Sequence, residues 1–192
     1  MRRIAKQGLL TLAWVSALSL TLLSVTAQAA PNRPDAAAAT CSVGQVLSNP
    51  GFETGSAAPW KTTSGVINSN GNGETAHSGN YFAWLDGYGT THTDTLSQQV
   101  SIPAGCHAIL FFWLHIDTAE TTTTIAYDKL TLAANGTTIG NWSNLNANTG
   151  YAQKGFDLSA YAGQTVTILF TGSEDYEKQT SFVIDDAALQ LI

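Results

Sequence analysis

The chain has 192 residues, a formal net charge of −6, and 11% charged against 44% hydrophobic side chains. An acidic chain lacks the basic surface that captures nucleic acid or anionic membrane, which argues against both as partners. The length suits one folded domain, large enough to bury a sizeable core without help.

Residues 1–29 read as a secretory signal. Arg2, Arg3 and Lys6 form a basic start, residues 9–25 are apolar, and Ala27-Gln28-Ala29 is a small-residue cleavage site. The alternative, a membrane anchor, needs a longer run, and Thr11, Ser16, Ser19, Thr21 and Ser24 interrupt this one. Residues 30–40, with Pro31, Pro34 and four successive alanines, alternate nowhere and read as a disordered lead-in. The folded part is then 41–192. Three of the eight basic residues leave with the signal, so five face fourteen acids and the net charge becomes −9. No second apolar run is long enough to span a bilayer. In an exported chain the two cysteines, Cys41 and Cys106, read as one disulfide. Two separate buried thiols are the alternative.

Beyond residue 40, turn residues separate short strand signals and no long 3.6-period segment intervenes. The spacing predicts strands over 41–47, 65–69, 81–85 and 95–102. The strongest signal covers 106–117. Ala108, Leu110, Phe112, Leu114 and Ile116 line one face, while Ile109, Phe111 and Trp113 begin the other. A strand apolar on both faces lies centrally or has part of its outer face covered. Strands over 127–134 and 137–142 flank Asn135-Gly136, a strong hairpin signal. Further strands cover 150–158 and 165–171, with a turn or single helical turn over 159–163. The last, 180–189, places Phe182, Ile184 and Asp186 on one side by simple alternation. A carboxylate on a core face is costly unless paired, hydrogen-bonded or bound to a metal. About nine or ten short strands without crossover helices predict an all-β, antiparallel β-sandwich or jelly roll.

Asn49-Pro50-Gly51-Phe52-Glu53 followed by Trp60 resembles the opening of galactose-binding-like jelly rolls, including several carbohydrate-binding module families. Ala76-His77-Ser78-Gly79-Asn80-Tyr81-Phe82-Ala83, Leu96-Ser97-Gln98-Gln99-Val100 and Phe182-Val183-Ile184-Asp185-Asp186-Ala187-Ala188-Leu189 resemble that family's later strands. Residues 115–130 and 171–192 are most similar to modules at the C-terminal end of secreted bacterial proteases. The resemblance implies a structural calcium where the opening loop meets the last strand. Glu53 and Asp186 would supply carboxylates, and Gly51 and Asn80 backbone carbonyls. Mixed oxygen coordination suits this hard cation. The alternative is that Glu53 caps a turn and Asp186 accepts from backbone amides.

A second acidic group, His115, Asp117, Glu120 and Asp128, clusters in sequence, and Glu174-Asp175 could approach it from a loop. Such residues either bind an ion, orient a sugar, or are solvated loop charges. Among the aromatics, Trp60, Trp84 and Trp113 read as core. Tyr88, on a glycine-flanked loop, and Trp142, near Asn141, Asn144 and Asn146, read as exposed rings against which a sugar's C–H face stacks. Asp117 and Glu120 complete the expected ligand-binding set.

No catalytic motif is present: there is no Gly-x-Ser-x-Gly elbow, HExxH or phosphate-cradling loop. His77 and Ser78 are adjacent and, on a strand, would point to opposite faces, so they are no nucleophile–base pair. The reading is a secreted, extracellular, monomeric binding module with no catalytic residues and a structural calcium, meeting an extracellular glycan. The alternatives are an accessory module that meets a secreted or surface protein, and a small glycan or ester hydrolase.

Overall fold

The computed structural model describes residues 41–192; the expected signal, 1–29, and lead-in, 30–40, lie outside the described residues. Among the described residues eleven strands run in chain order: β1 (Gly44–Gln45), β2 (Lys61–Thr62), β3 (Ile67–Ser69), β4 (Tyr81–Asp86), β5 (His92–Ile102), β6 (Ala108–Thr118), β7 (Lys129–Ala134), β8 (Thr137–Ser143), β9 (Ala152–Asp157), β10 (Gln164–Glu174) and β11 (Thr180–Leu191). Single 3-10 turns occupy Asn144–Asn146 and Ser159–Tyr161. Every pairing is antiparallel. One sheet has the order β3-β4-β11-β6-β9, with β1 also on β11; the other has the order β2-β5-β10-β7-β8. The fold is an all-β sandwich of two antiparallel sheets, the jelly roll that the strand spacing predicts.

The alternation in β6 works as expected. Ala108, Leu110, Phe112, Leu114 and Ile116 are buried on the inner face. They meet Leu96, Leu130, Leu132, Val166, Ile168 and Phe170 from the opposite sheet. Phe112 sits at the centre, edge-on to Phe170 with ring centroids 4.9 Å apart. The outer face of β6 is partly covered by the loop between β3 and β4. His77 of that loop stacks on Trp113 at 3.9 Å, and Tyr151 of the segment leading into β9 donates its hydroxyl to Thr75 O at 2.8 Å. Cys41 and Cys106 form a disulfide, tying the start of the described chain to the turn before β6.

Two expectations need correction. Simple alternation through β11 fails at its middle, because the register against β6 shifts between Asp185 and Ala188. Asp186 occupies this bulge at φ 45° and is half-exposed, so it does not share the core face with Phe182 and Ile184. The buried acid is its neighbour Asp185. His77 and Ser78 lie in the loop, not on a strand. Both therefore turn the same way, toward Asp186.

Candidate functional site

The opening loop and the last strand do meet. Glu53 lies across Gly79, with its carboxylate accepting from the amides of Asn80 at 3.0 Å and Tyr81 at 2.9 Å. A side chain on Gly79 would collide with it: a Cβ there falls 2.5 Å from the Glu53 carboxyl carbon. Asp186 accepts from Ser78 Oγ at 2.9 Å and faces His77 Nδ1 at 2.7 Å. Serine and histidine thus share one carboxylate and do not address each other. Asp185 accepts from the Ser78 amide at 3.1 Å. Burial pushes its carboxyl up to about 6, against the pull of these amides. Gly51 closes the nook: a Cβ there would lie 3.2 Å from Asp186 Oδ1 and 4.0 Å from Asp185 Oδ1. Asn80 contributes its N–H, while its carbonyl accepts from the Asn70 amide. The carboxylates of Glu53, Asp185 and Asp186 offer the oxygens a hard cation requires, with the His77 imidazole beside Asp186. Among the described residues, no three acidic, histidine or cysteine side chains stand as an assembled metal centre.

The two aromatics expected to be exposed lie at two different hollows. Tyr88 is 49% exposed on the loop after β4. With Gly65, Asn68, Trp84, Asp86 and Gly87 it lines a cleft of about 320 Å³. Trp84 is half-buried there, not fully in the core. Its indole N–H is buried and has no protein partner. Gly87 permits the close approach, since a Cβ on it would lie 2.8 Å from that nitrogen. Trp142, on β8, lines a smaller hollow of about 230 Å³ with Lys129, Asn141 and Asn146. Its ring is partly taken up by edge-on contacts to Phe112 and Phe156. A third hollow, of about 370 Å³ beside Gln98 and Lys61, has no aromatic ring in its wall.

Asp117 and Glu120 line none of these hollows. Asp117 is exposed near the end of β6, where its charge acts on the buried Glu74. Burial raises the Glu74 carboxyl, and His115, 3.7 Å away, opposes that shift. Glu120 follows β6 and has one buried carboxylate oxygen without a partner. Asp128 and Glu174 do come together, but with Asp86 and Asp94 and not with His115 and Asp117. Burial and then these three neighbouring charges push the Asp86 carboxyl up to about 8.

The sequence matches no protein-family model and no curated protein. Solved structures do match. The chain is 24% identical to TmCBM61, solved in complex with beta-1,4-galactotriose, over 76% of this chain and 97% of that one, with a TM-score of 0.55. The likeness is one of fold: this domain shares its jelly roll with a carbohydrate-binding module. The K3 cleaved adhesin domain of Lys-gingipain from Porphyromonas gingivalis W83 shares this fold at 14% identity, covering 76% and 99% of the two chains with a TM-score of 0.51. The Stig cyclase Fisc from Fischerella sp. TAU shares it at 14% identity, covering 79% and 98%, with a TM-score of 0.52. The jelly roll therefore carries binding modules and enzymes alike, and function has to be argued from the site.

Residue-level reasoning missed Asn68, Trp84, Asp86 and Asp94. For Asp94 a signal was available: it continues the inward row Leu96, Gln98, Val100 and Ile102. For Asn68 and Trp84 there was none, because the cleft joins two segments through strand pairing.

Proposed function

We propose that this jelly roll is a secreted, non-catalytic module that binds extracellular glycan in the Tyr88 cleft. The observation that carries the reading is the pairing of Tyr88 and Trp84 with the Asn68 amide around about 320 Å³. That volume reaches the lower end of small-molecule sites, roughly 300 Å³, which the Trp142 hollow does not. Rings supply apolar faces for sugar C–H groups, and Asn68, whose NH2 is held by Gly65 O at 2.7 Å and Val66 O at 3.2 Å, keeps its Oδ1 as an acceptor for a sugar hydroxyl. The fold shared with a galactotriose-binding module makes β-1,4-galactan the first polymer to test. Affinity electrophoresis in galactan, and in a panel of plant and microbial polysaccharides, should show retardation that Tyr88→Ala abolishes and Trp142→Ala leaves intact. Retardation that survives Tyr88→Ala, or its absence across the panel, rejects the cleft as a glycan site.

A structural calcium at the junction of the opening loop and β11 belongs to the same reading. Glu53 and Asp186 would hold it, with Asp185 nearby and the backbone at Gly51 and Asn80 alongside. The approach of the Asp185 and Asp186 oxygens and the Glu53 side chain around Gly51 supports this. The ion would neutralise carboxylates gathered from both ends of the domain. A native-state ligand at a hundredfold excess over its dissociation constant adds about 2.7 kcal/mol. Chelator should therefore lower the melting temperature, and Glu53→Gln or Asp186→Asn should remove part of that drop. An equal drop in both variants and the parent excludes an ion here.

A protein-docking role is the second reading, favoured by the exposure of Ile125, Tyr127, Leu145 and Tyr176 on the β6–β7 loop, the turn after β8 and the β10–β11 loop. The disulfide supports an oxidising, extracellular setting for either role.

A further inference from the structure

One end of the sandwich is closed by carboxyl groups where apolar side chains would be expected. Asp94 continues the inward row of β5, Glu174 that of β10 (Val166, Ile168, Phe170, Gly172), and Asp128 stands two residues before Leu130 of β7. All three are buried. Asp86 enters from β4 in the facing sheet and lies over Gly172, where a Cβ would fall 2.3 Å from its Oδ2. Gly172 is itself paired with Asp94 on one side and with Leu130 on the other. Four acids from four segments thus face one another across the mouth of the core.

Three of them are held by donors. Asp94 accepts from the Asp86 amide at 3.0 Å and from the Thr63 hydroxyl. Asp128 accepts from the Asp175 amide at 2.9 Å and from the Thr180 hydroxyl. Glu174 accepts from the amides of Tyr88 and Gly89, each at 2.9 Å, and of Thr180 at 3.2 Å. Asp86 differs. It is 4% exposed, yet both its carboxyl oxygens are buried with no hydrogen-bond partner. Among the described residues no lysine or arginine nitrogen comes within 4.0 Å of any carboxylate. The nearest base is His92, 3.2 Å from Asp94. Buried carboxylates without a paired positive charge are strongly unfavourable. The four candidate ligands are all carboxylates and no thiol lies among them, a set that suits a hard cation such as calcium.

We propose that Asp86, Asp94, Asp128 and Glu174 bind a calcium ion inside this end of the sandwich, a site separate from the Glu53–Asp186 junction. The four do not stand as an assembled centre. Binding draws them together, beginning with Asp86, which no side-chain hydrogen bond restrains. Because Glu174 holds the Tyr88 and Gly89 amides, the ion also stiffens the loop that carries Tyr88.

The test is to count calcium ions on the purified protein by calorimetry after stripping with chelator, in a background of Glu53→Gln with Asp186→Asn. One ion should still bind, and adding Asp86→Asn should abolish it. Terbium(III) substituted at the site should luminesce through the neighbouring Trp84 and lose that signal with Asp86→Asn. The Asp86→Asn single variant puts a neutral amide of the same shape in place of the carboxyl, so in chelator it should melt close to the parent near neutral pH and above it at pH 8 and higher. It then serves if the background variant does not fold: one ion fewer than the parent supports the site. An unchanged count with Asp86→Asn in either background, or a folded background variant that binds no calcium, overturns the proposal.

Discussion

At the scale of single residues, two positions decide how charge is accommodated. Gly79 takes φ 68° and has the Glu53 carboxylate where a side chain would be. Gly79→Ala is strained twice over, by left-handed backbone and by collision, and should lose about 1–3 kcal/mol in urea unfolding. Asp86 carries the clearer pH signature. Its carboxyl titrates near 3.8 in the unfolded chain and at about 8 when folded. The folded state therefore holds the proton more tightly. That contribution is complete below about pH 4 and is lost as pH rises through 8, at a rate on the order of 1 kcal/mol per pH unit. In chelator, chemical denaturation should show stability falling from pH 5 to pH 8, and Asp86→Asn should flatten the slope. Asp94, Glu174, Asp128, His92 and Tyr88 face the same group, so the slope belongs to the cluster.

At the scale of elements, β6 and β11 are the spine. β11 lies between β4 and β6, and β6 between β11 and β9. Phe112 of β6 is fully buried against Phe170, Phe156 and Trp142. Phe112→Ala should cost about 3–5 kcal/mol, measured as a lower denaturant midpoint at unchanged slope. The β7–β8 hairpin follows its local code: Asn135 at φ 46° and Gly136 at φ 80° make the turn that Asn-Gly favours. The two-residue strand Lys61–Thr62 has no such code, being set only by its pairing with Ser97 and Leu96. The bulge in β11 is likewise not local. It depends on the Ala187 amide reaching Pro50 O at 2.9 Å, a partner far upstream.

At the scale of the whole molecule, the disulfide joins Cys41 and Cys106 across a sequence separation of 65. Reduction should cost about 2–5 kcal/mol, chiefly by freeing the unfolded chain, and thermal melts with and without reductant measure it. The two sheets then bring acids together at two places: the opening-loop junction and the mouth between β4, β5, β7 and β10. The sequence by itself determined the all-β class, most strand positions, the inward row of β6, the hairpin at Asn135–Gly136 and the exposure of Tyr88. Each follows from a period of two or from turn chemistry, and both are local. Only the tertiary structure decided that Asp185 is buried while Asp186 turns out, that Trp84 joins Tyr88 in a cleft, and that Asp86 faces Asp94, Asp128 and Glu174. These depend on strand register, a bulge and the approach of one sheet to the other, which no local pattern encodes.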